Sequence, residues 1–134
     1  MKNKMLLIMV FAALAAPSFS WAASLLPIEV VNQRMDAYNN HDIKKFMALY
    51  AENISVYTYP DSKLADGKAH LESIFKPMFV QRKGGPQGKI IKQLENGNYV
   101  INEEVVTYAN EDKKYISIYK VEKGLITEVR FVRE

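Results

Sequence analysis

Apolar residues recur with helical spacing in the first part of the chain that follows residue 24. Between residues 25 and 39 several of them lie three or four positions apart, as on a helix with one buried face. Asp42 is a good N-cap for a second helix over residues 43–50. Gly67 precedes a third helix, which Pro77 is expected to distort or end. The spacing therefore predicts three helices.

β-branched and alternating residues are typical of the remaining segments. Residues 54–59 form a first predicted strand, followed by a turn and a short second strand. A glycine-rich loop at residues 82–88 lacks the lysine and hydroxyl ending of a phosphate-binding loop. Strands are then predicted at residues 89–95, 99–108, 115–121 and 125–132, with hairpin signals between them. The order α-α-β-(short β)-α-β-β-β-β predicts an α+β domain with a mostly antiparallel sheet.

The first 22 residues have the composition of a secretory signal peptide. Two lysines precede an unbroken apolar run over residues 5–16, and small residues at positions 20 and 22 suit a cleavage site. This run is shorter than the ~20 residues that a membrane-spanning helix needs. We expect cleavage after Ala22, with cleavage after Ala23 as the alternative, and one mature domain over residues 23–134. The mature protein is expected in the periplasm or outside the cell, without a membrane anchor.

Charge and composition exclude several classes of function. The chain has no cysteine, so a disulfide framework, a thiol nucleophile and a cysteine-zinc site are excluded. Removal of Lys2 and Lys4 lowers the basic count from 18 to 16 against 15 acidic residues, so the mature net charge is +1 rather than +3. This charge and the absence of a basic stripe disfavour nucleic acid as a partner. His41 and His70 are the only histidines and lack metal-ligand spacing, so no metal or cofactor is expected.

Three stretches of the sequence match a known pattern. Residues 37–53 begin with Ala-Tyr-Asn-Asn-His-Asp-Ile, Asp66-Gly67-Lys68 leads into the third helix, and residues 118–129 form the closing hairpin. In these stretches the chain resembles the NTF2-like superfamily and, within it, the SnoaL-like group. The resemblance implies a cone-shaped domain, in which three helices packed on a curved sheet enclose a pocket. Such domains often dimerise through their sheets.

The superfamily contains enzymes as well as non-catalytic domains, so the fold does not decide the function. Its ketosteroid isomerases use a carboxylate base on the first strand just before a proline. They add a tyrosine from the first helix and a protonated aspartate from a late strand. In this chain the base position holds Tyr59, the helix position falls near Arg34, with Tyr38 one turn later, and the late-strand position falls near Ser117. Because none of the three matches, a ketosteroid isomerase is not predicted.

A set of polar and aromatic residues forms the candidate ligand-binding site: Tyr57, Tyr59, Asn102, Glu104, Tyr119 and Arg130. A glutamate buried near apolar groups can act as a general base, so Glu104 is the candidate catalytic residue. Glu103 and Glu104 are adjacent, so one must point to each face of the sheet. The glutamate that points inward has an alternative role as the partner of Arg130 in a structural ion pair. For Arg34 and Tyr38 we expect packing or a place on the helix surface.

These observations favour an exported domain that binds a small apolar or aromatic molecule in a tyrosine-rich cone. Acid–base turnover of the isomerase, cyclase or lyase type stays open. The alternative is a non-catalytic dimerisation or assembly module whose cone is filled by its own side chains. The strand at residues 115–121 carries apolar side chains on both faces, which predicts that a homodimer formed through the sheet covers the outer face.

Overall fold

The computed structural model describes residues 24–81 and 85–133, so the predicted signal peptide and its cleavage site lie outside the described residues. The elements, in chain order, are α1 (Pro27–Asn39), α2 (Ile43–Ala48), β1 (Tyr50–Thr58), β2 (Ser62–Asp66), α3 (Lys68–Val80), β3 (Gln87–Asn96), β4 (Tyr99–Tyr108), β5 (Glu111–Glu122) and β6 (Leu125–Arg133). None of the helices in these residues has the length and apolar character needed to cross a membrane. The order of elements is the predicted one.

The six strands form one curved sheet in the order β2-β1-β6-β5-β4-β3. All neighbours are antiparallel except β1 and β6, which run parallel. Ala109-Asn110 and Lys123-Gly124 close the last two hairpins with positive φ at both turn residues, and this geometry matches the twist of the flanking strands. The predicted α+β class, with helices on a mostly antiparallel sheet, is confirmed.

The helices cover the inner face of the sheet and leave the outer face open. α1 packs across β3, β4 and β5, and α3 packs on β1. An aromatic cluster joins the helices, with Phe46 4.8 Å from Phe75 and 5.1 Å from Phe79 between ring centroids. Val100 and Val121 are fully buried at the start of β4 and the end of β5, where the core is closed. The opposite end of these two strands holds the cavity described below.

Several element boundaries differ from the prediction; the largest shifts are at the starts of β1 and β5, which begin four residues earlier, at Tyr50 and Glu111. The second helix ends at Ala48, because Tyr50 already pairs with Ile126 and the Leu49 carbonyl accepts a hydrogen bond from the Ile126 amide at 2.8 Å. Pro77 does not end the third helix, which continues to Val80. Pro77 lies on the exposed side, where water can reach the carbonyl that a proline leaves without its helical partner.

The described end of the glycine-rich loop is attached to the turn between α1 and α2. Asn39 Oδ1 accepts a hydrogen bond from the Gly88 amide at 2.7 Å, and Asn39 Nδ2 donates to the Gly88 carbonyl at 2.9 Å. His41 Nε2 lies 2.8 Å from the Pro86 carbonyl. These contacts hold Pro86 in the wall of the cavity.

Candidate functional site

A cavity of about 580 Å³ lies between α1, α3 and the inner face of the sheet. Its size falls in the range of small-molecule sites. The lining residues are mainly aromatic and apolar, with a few charged groups: Arg34, Met35, Tyr38, Phe75, Met78, Pro86, Glu104, Val106, Tyr108, Ala109, Glu111, Lys113, Tyr115, Phe131 and Arg133. The cone is therefore not filled by its own side chains.

Glu104 provides the buried negative charge of the cavity and is 3% exposed. Its Oε1 accepts hydrogen bonds from Tyr119 Oη at 2.8 Å and from Asn102 Nδ2 at 2.9 Å. Its Oε2 accepts one from Ser117 Oγ at 2.9 Å. The strand register explains this cluster, because Asn102 lies opposite Ser117 on β5 and two residues before Glu104 on β4. Three of the roughly four acceptor sites of the carboxylate are thereby occupied.

The hydrogen-bond network continues from the carboxylate to the surface of α1. Asn102 Oδ1 accepts from Gln93 Nε2 at 2.9 Å, and the same amide group donates to Asn32 Oδ1 at 3.0 Å. The network thus crosses β3, β4 and β5 on one face of the sheet. Such a series of hydrogen bonds fixes the orientation of the buried Asn102 amide and of the buried Glu104 carboxylate.

Arg34 provides the buried positive charge and is 4% exposed. Its Nε donates to Tyr50 Oη at 2.6 Å, and its Cζ lies 5.1 Å from the ring centroids of both Phe46 and Tyr119. Within residues 24–81 and 85–133, no acceptor lies within hydrogen-bonding distance of the two terminal guanidinium nitrogens. Every fully buried side-chain nitrogen and oxygen of those residues has a hydrogen-bond partner. The two terminal nitrogens of Arg34 are therefore not fully buried, and they are accessible from the cavity that Arg34 lines.

The side chain of Tyr119 separates the two buried charges. The guanidinium of Arg34 lies by its ring, and its hydroxyl donates to Glu104. In the described part of the chain no nitrogen of Arg34 comes within 4.0 Å of an oxygen of Glu104, so the two are not a direct ion pair. Because both groups are buried, the Coulomb interaction between the charges of Arg34 and Glu104 is stronger than it would be in water.

The pKa values of the arginine and of the buried tyrosines of the site are perturbed by their surroundings. Burial alone lowers the pKa of Arg34, but Tyr119, Tyr50 and Glu104 raise it by more, so the guanidinium stays charged. Burial raises the pKa of Tyr38 to about 12, against the opposing effect of Arg34. Burial also raises the pKa of Tyr119 well above its ordinary value. Both phenols are therefore neutral hydrogen-bonding groups at physiological pH.

The sequence of residues 31–129 matches the family model of the SnoaL-like domain. The chain belongs to the SnoaL-like family. None of the curated proteins matches its sequence. The family membership therefore supplies a fold and a range of relatives rather than one activity.

Solved structures place this SnoaL-like domain in the NTF2-like fold. An uncharacterised cystatin-fold protein of Novosphingobium aromaticivorans is similar with a TM-score of 0.75 and 20% identity, over 82% of this chain and 100% of that one. An NTF2-like protein of unknown function from Cytophaga hutchinsonii has a TM-score of 0.71 and 17% identity, over 84% and 94% of the two chains. An LEH-like epoxide hydrolase of M. tuberculosis has a TM-score of 0.67 and 19% identity, over 81% and 82%. At these identities the likeness shows the fold alone.

The SnoaL-like domain brings three of the six sequence-predicted site residues together. Glu104, Asn102 and Tyr119 form one hydrogen-bonded group on the inner face of the sheet. Of Glu103 and Glu104, Glu104 points inward, and Glu103 lies beside Lys92 at 4.0 Å. The ambiguity left by the sequence is thus resolved by the register of β4 and β5.

The other three predicted site residues lie away from the cavity. Arg130 stacks over Tyr57 at 4.2 Å from the ring centroid, and its Nε donates to Glu128 at 2.9 Å. Arg130 also pairs with Asp61 at 3.0 Å, so the alternative ion pair with the inward glutamate is wrong. Tyr59 is 57% exposed after the end of β1. The physical reason is the period of two along a strand: Tyr57 and Arg130 alternate with the inward Val56, Val129 and Phe131.

The expected packing or surface roles of Arg34 and Tyr38 omitted their place in the cavity wall. Both lie on the buried stripe of α1 that begins at Val30, with a spacing of four residues. A positive charge on an otherwise apolar helical stripe is the sequence signal that would have found Arg34. Lys113 and Arg133, at the open end of the cavity, carry no such signal, because only the pairing of β4, β5 and β6 brings them there.

Proposed function

We propose that this SnoaL-like domain is an exported binding protein for a small apolar or aromatic molecule, which it holds in the cavity. The observation that supports the proposal is the unfilled space of about 580 Å³ walled by Tyr38, Phe75, Met78 and Phe131. Apolar walls with a few convergent polar groups are typical of small-molecule sites. An assembly module with a filled cone would have no such space.

Binding fits the geometry better than acid–base catalysis does. A general base needs a free lone pair that faces the substrate. Glu104 has three hydrogen-bond donors on its carboxylate, which leaves about one acceptor site for a ligand. The arrangement supports a role for Glu104 in holding the polar groups of the cavity in place.

The binding proposal is tested with 2-naphthamide, a neutral aromatic probe, by isothermal titration calorimetry. Val106 lines the cavity and its neighbour Val105 points to the outer face, so V106W and V105W place the same bulk on opposite sides of one strand. We expect the wild type and V105W to bind the probe and V106W to lose at least about tenfold in affinity, which corresponds to 1.4 kcal/mol. Equal binding by all three proteins, or binding of neither this probe nor its acid analogue 2-naphthoate by the wild type, would refute the proposal.

Export is proposed from the first 22 residues and is tested by intact mass. A chain recovered from the periplasm or medium that begins at Ala23 supports it. A full-length chain that stays in the cytoplasm contradicts it. The variant A22R, which removes the small residue before the expected cleavage site, is expected to retain the leader.

A homodimer through the outer face of the sheet is the other part of the proposal. Ile116 on β5 is 39% exposed there, beside the partly buried Ile118 and Val132. Native mass spectrometry is expected to find a dimer that I116K converts to monomer. V80K changes an equally apolar residue, 72% exposed at the end of α3, and is expected to stay dimeric. A wild-type monomer would exclude the sheet interface.

A further inference from the structure

The two buried charges of the cavity are not equally satisfied. The carboxylate of Glu104 accepts three hydrogen bonds from neutral protein groups. Among the described residues, the guanidinium of Arg34 uses one of its five N–H groups, on Tyr50, although the residue is only 4% exposed. The unused donors of Arg34 open on the cavity. The missing partner of this site is therefore a hydrogen-bond acceptor.

We propose that the cavity binds a small aromatic or apolar carboxylic acid as its anion, with the carboxylate on the terminal nitrogens of Arg34. This proposal rests on the proposed binding function and names the chemical class of its ligand. The planar guanidinium presents two parallel N–H groups that match the two oxygens of a carboxylate. The remainder of the ligand contacts the aromatic and methionine side chains of the wall, such as Tyr38 and Phe75.

The aromatic rings around Arg34 position its guanidinium for this contact. The ring centroids of Phe46 and Tyr119 lie 5.1 Å from Cζ of Arg34, and that of Tyr38 lies 5.8 Å from it. The hydroxyl of Tyr50 accepts a hydrogen bond from Nε. Three aromatic rings and the hydroxyl of Tyr50 thus surround the guanidinium, and among the described residues its terminal nitrogens make no hydrogen bond. A fixed donor group loses little conformational entropy on binding.

The charge of the cavity favours an anion over a neutral carbonyl compound. Arg34 and Glu104 balance one another inside. At the open end Lys113 and Arg133 lie with one acidic lining residue, Glu111, so the described lining residues carry one net positive charge. A monoanion neutralises this charge, and the exposed basic residues raise the rate at which an anion enters.

The test compares 2-naphthoate with 2-naphthamide, which has the same ring system and no charge, by calorimetry on the mature chain. We expect 2-naphthoate to bind about ten- to one-hundredfold more tightly, as for hydrogen bonds to a charged group. R34M is expected to abolish this preference, and R34K, which keeps the charge without the planar fork, to reduce it. K92Q, which removes an exposed lysine outside the cavity, is expected to retain the preference. Circular dichroism verifies that each variant is folded; if R34M does not fold, R34K decides.

Each outcome separates the ligand class from the binding function. If both probes bind with equal affinity and V106W blocks both, the cavity binds small molecules and the carboxylate assignment is wrong. If the preference survives in both Arg34 variants, or is lost to the same extent in K92Q, the assignment of the carboxylate to Arg34 is overturned. If neither probe binds, the binding function itself is refuted.

Discussion

Replacement of Glu104 by glutamine tests whether a charge or only a hydrogen-bond acceptor is required in the core. The side chain keeps its shape, and the amide oxygen can still accept from Tyr119 and Asn102. The amide nitrogen then lies where Oε2 accepted from Ser117, whose hydroxyl can rotate to accept instead. The number of hydrogen bonds is unchanged, and the negative charge beside Arg34 is lost.

The expected loss of stability follows from this geometry. A hydrogen bond to a charged group contributes about 1.5–3 kcal/mol and a neutral one about 0.5–1.5 kcal/mol. With a difference of about 1 kcal/mol for each of three bonds, E104Q is expected to lower the free energy of unfolding by about 3 kcal/mol. The loss of the charge that raises the pKa of Arg34 acts in the same direction, because Arg34 is buried.

The assay is urea denaturation followed by circular dichroism, with E103Q as the matched control. Glu103 precedes Glu104 on β4 but has only a 4.0 Å contact with Lys92, whose side chain is 81% exposed. E103Q is therefore expected to change stability by less than about 0.5 kcal/mol. For an m-value of about 1–3 kcal/mol/M, E104Q lowers the urea midpoint by about 1–3 M. Equal midpoints for the two variants would refute the argument that the inner charge stabilises the fold.

Three further outcomes are expected. Y119F removes one hydrogen bond to Glu104 and leaves the ring over Arg34, so a loss of about 1–3 kcal/mol is expected in the same urea assay, and an unchanged midpoint would contradict it. N39A removes both hydrogen bonds to Gly88, so limited proteolysis should cut the adjacent loop faster than in the wild type; equal rates would show that this contact does not hold the loop. Burial raises the pKa of Tyr38 to about 12, from about 10 in the unfolded chain. The stabilisation that the neutral, buried Tyr38 hydroxyl gives the folded state is therefore complete below pH 10 and is lost as the pH rises to about 12. Y38F should therefore lose less stability than the wild type, by up to about 3 kcal/mol, between pH 9 and pH 12 in urea titrations, and parallel losses would contradict the shift.

The fold was predictable because its signals are local. Helix periodicity, the Asp42 cap and the hairpin turns each depend on a few neighbouring residues. The start of β1 was not predictable in this way, since Tyr50 leaves the predicted helix and pairs with Ile126, far along the chain. A nonlocal hydrogen bond here outweighs the local helical preference.

The site was predictable only in part for a related reason. Once a strand is located, its residues divide into two faces, but the sequence does not say which face is covered. Tyr57 and Arg130 look like pocket residues and lie outside, whereas Asn102 and Glu104 lie inside. For Arg34 the sequence predicted packing or a place on the helix surface rather than the cavity wall, since arginine is mostly exposed in proteins.

Because β1 pairs with β6, completion of the sheet depends on the strand that comes last among the described residues. β6 is the last strand along the chain, yet it lies in the middle of the sheet between β1 and β5. Until residues 125–133 have been synthesised, β1 and β2 form only an isolated hairpin, and α3 has no complete sheet on which to pack. Closure of this long loop makes the final step slow compared with local hairpin formation. The sheet of this topology is therefore completed only when residues 125–133 are available to pair with β1 and β5.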